Sequence, residues 1–240
     1  ISTKGPLKTG DYPSAPLNVG ADRYQAIGNP YASAIDLRSI VRTGGTDAIF
    51  YVWDPKILPL GGFQTLTFNG TNYIITPGGG SYGASGSVMD TVQSGQAFMA
   101  YATGVPGAVR FTEGCKTTGN RNVFRPASAG NSAGQLITNL YTVNSDNTID
   151  ISDGNMVVFD DRYSKSIDGV DAKKLVNFGE NFGINKYGET LAVDKTEQPG
   201  ISDTVYYNFT KPKAKNYRIQ ITASNLNHPN LLGKLEDNYI

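Results

Sequence analysis

The run GFQTLTFNGTNYIIT, Gly62 to Thr76, constrains the fold more than any other stretch. Leu66 and Phe68 alternate with Thr65 and Thr67, the chain turns at Asn69-Gly70, and apolar residues resume at Tyr73, Ile74 and Ile75. Asn-Gly tolerates positive φ, so between two such runs it predicts a β-hairpin. The same grammar recurs. IFYVWD is β-branched and aromatic and stops at Pro55, while QAFMAYA and AVRFTE read as two short strands separated by the turn-rich TGVPG. Farther on come QLITNLYTV, NMVVFDD, DTVYYNF and NYRIQITA. In the last, Tyr217, Ile219 and Ile221 share a face against Arg218, Gln220 and Thr222, the pattern of a half-buried strand. The 28 glycines and 14 tyrosines suit many turns joining short strands. Only SAIDLRSIV and DAKKLVNF read as helices, and both are short. The expectation is an all-β chain of antiparallel, jelly-roll-like β-sandwich units, two in tandem, with short helices.

The small, polar stretch RPASAGNSAG, Arg125 to Gly134, marks the expected boundary. It divides residues 1–126, an N-terminal β domain, from residues 127–240, a C-terminal β-sandwich. Lys+Arg and Asp+Glu number 21 each, which gives no electrostatic footprint for nucleic acid. No apolar run is long enough to span a bilayer, so no membrane insertion is expected. The first residue is Ile1 rather than Met, and the opening reads as the middle of a longer chain.

The residues that usually carry catalysis are scarce. His228, the one histidine, sits in the turn NHPN, where solvation is the ordinary role. Cys115 is the one cysteine, so no intrachain disulfide forms and a His/Cys zinc site is nearly excluded. GGGSYG, Gly78 to Gly83, matches G-x-G-x-x-G but follows Pro77 and leads into no helix, so it reads as a flexible surface loop. The chain is not expected to be an enzyme. A glycosidase would need two facing carboxylates, which a sequence does not display.

DNTIDISDGNMVVFDDRYSKSIDGVDAKKL, Asp146 to Leu175, concentrates aspartates. Oxygen-rich loops of this kind suit Ca²⁺, and Asp160, Asp161, Asp168 and Asp171 are the candidate ligands of a structural ion that pins loops. The competing reading gives these carboxylates to nearby backbone N–H groups in turns and caps.

Several segments occur together in order: YQAIGNPYASAIDL, FYVWDP, VQSGQAFMAYAT, AVRFTE, VFR, DDRYSKSIDGVDAKKLVNFGENFGI and YRIQITASNL followed by LEDNYI. This order resembles the β-rich region just upstream of the C-terminal sorting domain in large Bacteroidetes cell-surface and secreted proteins exported by the type IX secretion system. The resemblance covers about Lys4 to Ile240. It implies a β-sandwich or jelly-roll fold, a location outside the outer membrane, and a parent protein whose adjacent domains are the partners. It supplies no activity. Within it, GNPYASAIDL reads as a scaffold corner: a strand through Tyr24 and Ile27 ends at Gly28, Asn29-Pro30 turns the chain, and Tyr31 buries its ring. The two DTV triplets resemble the acceptor of Bacteroidetes O-glycosylation, making Thr91 and Thr204 candidates, with Thr91 favoured by its Gly/Ser-rich surroundings. Two functions follow as expectations, behind which a carboxylate-dependent glycoside hydrolase stands third. One is a non-catalytic extracellular stalk, spacer or adhesin segment. The alternative is a carbohydrate-binding module using Tyr73, Tyr82, Tyr101 or Trp53, with surface glycans or neighbouring copies as further partners.

Overall fold

The computed structural model describes residues 6–57, 60–118, 133–226 and 232–237. His228 and most of the expected boundary stretch lie outside them. The chain is all-β. Its first half forms β1 (Tyr12–Val19), β2 (Arg23–Gly28), β3 (Ala34–Asp36), β4 (Val41–Asp54), β5 (Gly62–Phe68), β6 (Tyr73–Thr76), β7 (Thr91–Val92), β8 (Ala97–Phe111) and β9 (Lys116–Thr117). Its second half forms β10 (Gly134–Val143), β11 (Ile149–Phe159), β12 (Ala172–Lys173), β13 (Asn181–Lys186), β14 (Glu189–Thr196), β15 (Tyr206–Thr210) and β16 (Asn216–Ser224).

Three sheets result. The first runs β1-β8-β4-β5-β6, with β2 also on β8, and a small one runs β7-β3-β9. The second large sheet runs β15-β13-β14-β11-β10-β16, with β12 on β14. Pairing is antiparallel except between β11 and β14, which run parallel from Met156↔Val193 to Phe159↔Thr196.

Period-two alternation builds the layers. On β4, Phe50 and Val52 join a core with Leu66 and Phe98 that is covered by Ile35 and Val92 of the small sheet. Ile49 and Tyr51, on the other face, pack instead against Met156, Val158 and Val193 of the second large sheet. β11 alternates likewise: Val157 and Phe159 turn away into a third core with Ile184 and Leu191. Burial on both faces explains why IFYV and MVVF read as continuous apolar runs instead of alternating ones. Each half therefore builds its own large sheet, and the two sheets share a core. The expected division at 126/127 falls in the undescribed residues 119–132.

The hairpin is present. Phe68 pairs with Tyr73 across a four-residue loop closed by Asn69 N–H to Asn72 O at 3.0 Å. The corner also forms as expected. β2 ends at Gly28, the Asn29 side chain donates to Ser33 O and Val92 O and accepts from Tyr31 N–H, and the buried Tyr31 donates its hydroxyl to Gly10 O at 2.8 Å.

Three expectations need correction. SAIDLRSIV is not a helix: it gives β3, a 3₁₀ turn at Leu37–Ser39 and the start of β4. Ile35 pairs with Val92 and Lys116, so sheet hydrogen bonds replace helical ones. DAKKLVNF yields only the two-residue β12, held on β14 through Ala172↔Val193. QAFMAYA and AVRFTE form one strand, β8, because TGVPG bends without turning back and pairs with the bend of β4.

Candidate functional site

The four candidate aspartates of the acidic segment accept hydrogen bonds, some from their own turns and some from residues farther along the chain. Asp160 accepts from Arg162 Nε at 2.8 Å and Nη2 at 2.6 Å, and from Arg162 N–H at 3.0 Å. The Arg162 hydrogen bonds hold its carboxyl down at about 2. Asp161 accepts from Gln198 N–H at 3.2 Å, and Asp168 from Val170 N–H at 2.9 Å. Asp171 accepts from Asp168 N–H and, at 2.7 Å, from Lys195 N–H. Burial pushes its carboxyl up to about 6 against those hydrogen bonds. Among the described residues no three His, Cys, Asp or Glu side chains group so as to hold a metal ion. Asp160, Asp161, Asp168 and Asp171 are thus not part of any such group.

The most unusual ionisable group was missed by the sequence reading. Lys195, on β14, is buried between the two large sheets and donates from Nζ to Phe68 O, on β5, at 2.6 Å. Its ammonium stands 5.7 Å from the Tyr163 ring centre. Burial lowers the amine to about 8, against the opposing pull of the Asp171 and Asp168 charges. It borders a cavity of about 20 Å³ lined also by Asn69, Gln135, Met156 and Tyr163, room for about one water. The signal was present: Lys195 follows Val193 by two residues on a strand, which points it inward as well.

Three other buried carboxylates, unlike Asp54 and Asp171, form ion pairs with lysines. Asp153 meets Lys174 at 2.7 Å and accepts from Phe182 and Gly154 N–H. Glu180 meets Lys215 at 2.7 Å, and Asp194 meets Lys186 at 2.6 Å. The Gly78–Gly83 loop, expected to be flexible, is tied down. Gly78 N–H donates to Gln64 Oε1 at 2.8 Å, and Ser81 N–H to the fully buried Asp54 at 2.8 Å. Its three leading glycines have φ of 74°, 73° and 60°, which lets the backbone wrap this carboxylate.

Of the four aromatic candidates, Tyr73 and Tyr101 are buried, Tyr82 is half-buried and Trp53 is 36% exposed. Trp53 lies opposite Phe63 on β5 and against Phe178 from the second half, which is 75% exposed. The rings stand at 75° and 67° to the indole and form a notch, not a flat row. Phe178 carried no pattern that would have linked it to Trp53. Thr91 is half-buried within β7, and its neighbour Asp90 is buried and accepts from Tyr73 N–H at 2.7 Å. Thr204 is exposed in the loop before β15. Accessibility thus favours Thr204, the reverse of the preference read from composition.

Layered, mostly antiparallel sheets define an all-β, sandwich-like module. A family model described as a domain of unknown function (DUF8693) matches residues 3–228, and the chain belongs to that family. No curated protein and no solved structure matches the chain.

Proposed function

We propose that this chain is a non-catalytic extracellular module, a stalk or spacer segment that joins other parts of a larger surface protein. One observation carries the reading: the halves are fastened to each other by a shared core and part-buried cross-sheet hydrogen bonds. Tyr51 donates its hydroxyl to Lys173 O at 2.7 Å, Asn177 accepts from Phe63 N–H at 2.8 Å, and Lys195 donates to Phe68 O, all around the shared core. A spacer needs this, because apolar packing plus cross-links lets one half transmit displacement to the other. The surface location rests on the resemblance of the ordered segments described above.

The notch at Trp53 supports a second reading, sugar binding by ring stacking. Antibody labelling of intact cells, followed by a glycan array, separates the two. The spacer reading expects labelling before permeabilisation and no glycan retained. A glycan bound by the wild type and lost in Trp53→Ala would replace it with the second reading, and labelling only after permeabilisation would remove the surface assignment.

A further inference from the structure

The second large sheet ends in two edge strands, β15 and β16. β15 has five residues. β16 has nine, contains neither proline nor glycine, and pairs with β10 without a register break from Gln135↔Ser224 to Val143↔Asn216. The edge strand β1 of the first sheet is guarded differently: its register shifts between Tyr12 and Leu17, and it carries Pro13 and Pro16. Bulges and prolines are the usual means by which edges avoid pairing with another chain. β16 has neither, and Arg218 is its one charged residue.

Among the described residues, the apolar face also runs out of cover at this strand. Directly paired residues share a face, so Ile219 and Ile221 extend the face of Leu140 and Thr138. Leu140 and Thr138 are fully buried, whereas Ile219 and Ile221 are 45% and 42% exposed. The two ends of β16 differ. At Tyr217 the ring of Phe209 packs at 4.9 Å, and the Tyr217 hydroxyl donates to Glu180 at 3.0 Å. The open end, 218–224, carries the exposed isoleucines.

We propose that this open end pairs with β16 of a second copy of the chain, antiparallel about a twofold axis at Ile221. That register sets Ile221 against its own copy and Ile219 against Ala223. Gln220 meets Thr222 and Arg218 meets Ser224, so no like charges face each other. An isologous contact of this kind closes on itself as a dimer. It satisfies the edge backbone groups and covers the isoleucines together.

Size-exclusion chromatography with light scattering tests this, over a concentration series reaching the millimolar range. The expected mass rises from 25.7 kDa toward twice that value. Ile221→Lys places two ammonium groups across the axis and weakens the dimer at least tenfold, while Ile221→Val keeps it. Both variants retain the monomer's circular dichroism, because the side chain is already partly in water. Hydrogen exchange slows, as the dimer forms, at the outward-facing β16 amides that do not donate to β10. A mass that stays at 25.7 kDa throughout overturns the proposal. So does a dimer indifferent to Ile221→Lys. Protection, in the monomer, of the outward-facing β16 amides that do not donate to β10 also overturns it, and assigns the edge to another part of the same chain.

Discussion

Lys195 sets the pH response at the scale of one residue. Its amine titrates at about 8 in the folded chain, below the ordinary 10.5, because burial penalises the charged form. Between those values the unfolded chain holds more protons, so this group adds stability as pH rises through the interval. Asp171 has the opposite slope. Its carboxyl is raised from 3.8 to about 6 by burial, so its contribution falls as pH rises between them. The two groups together disfavour folding most between about 6 and 8, where both are charged, although their attraction offsets part of that. Lys195→Met removes the upper slope and leaves the Phe68 carbonyl without this donor. The expected result in urea unfolding is that wild type gains on Lys195→Met between pH 7 and pH 9.5. Taking the difference cancels the tyrosines and Cys115. A constant difference would mean that the amine is not held in a desolvated place.

The bend shared by β4 and β8 shows what an element requires of its glycines. Gly44 has a φ of 60°, and a Cβ there would fall on the Pro106 carbonyl and crowd Gly107. Gly104, on the facing strand, has a φ of 69° but open space around it. Both pay the left-handed penalty on substitution, roughly 1–2 kcal/mol. Only Gly44 adds a backbone collision. Chemical denaturation should therefore show Gly44→Ala losing clearly more stability than Gly104→Ala, and equal losses would sink the close-approach account. The same bend explains a limit of sequence reading. Gly-Val-Pro-Gly carries the chemistry of a reversing turn, and only the partner strand shows that it is a bend in one long strand. The hairpin at Asn69 and the turn at Asn29 were legible because the bonds that close them are local, although the corner's ties to Val92 and Gly10 are not. SAIDLRSIV was not, since its apolar spacing suits either period and the deciding partners, Val92 and Lys116, lie far along the chain.

The two large sheets are legible as strands in the sequence, but their packing against each other is not. Period-two patterning shows which residues point the same way along a strand and says nothing about which sheet they meet. Tyr51 makes the point: it sits in a β-branched and aromatic run that reads as a strand, yet only the structure shows its ring in the inter-sheet core and its hydroxyl on Lys173 O, 122 residues away. If the core is shared in this way, the halves unfold together. Far-UV circular dichroism reports both sheets, and fluorescence of Trp53, the sole tryptophan, reports the junction with Phe178. Coincident transitions in denaturant are expected from the two probes. Tyr51→Phe, which removes the hydroxyl that bonds Lys173 O and Tyr24, should lower the stability of that single transition by about 1–2 kcal/mol. Tyr51→Ala, which also empties the ring's place, should lower it by roughly 3–5 kcal/mol without splitting it. A tryptophan transition that precedes the dichroism change would mean that the junction opens while each sheet persists. The chain would then be two modules joined by a hinge, and the rigid-spacer reading would fail with it.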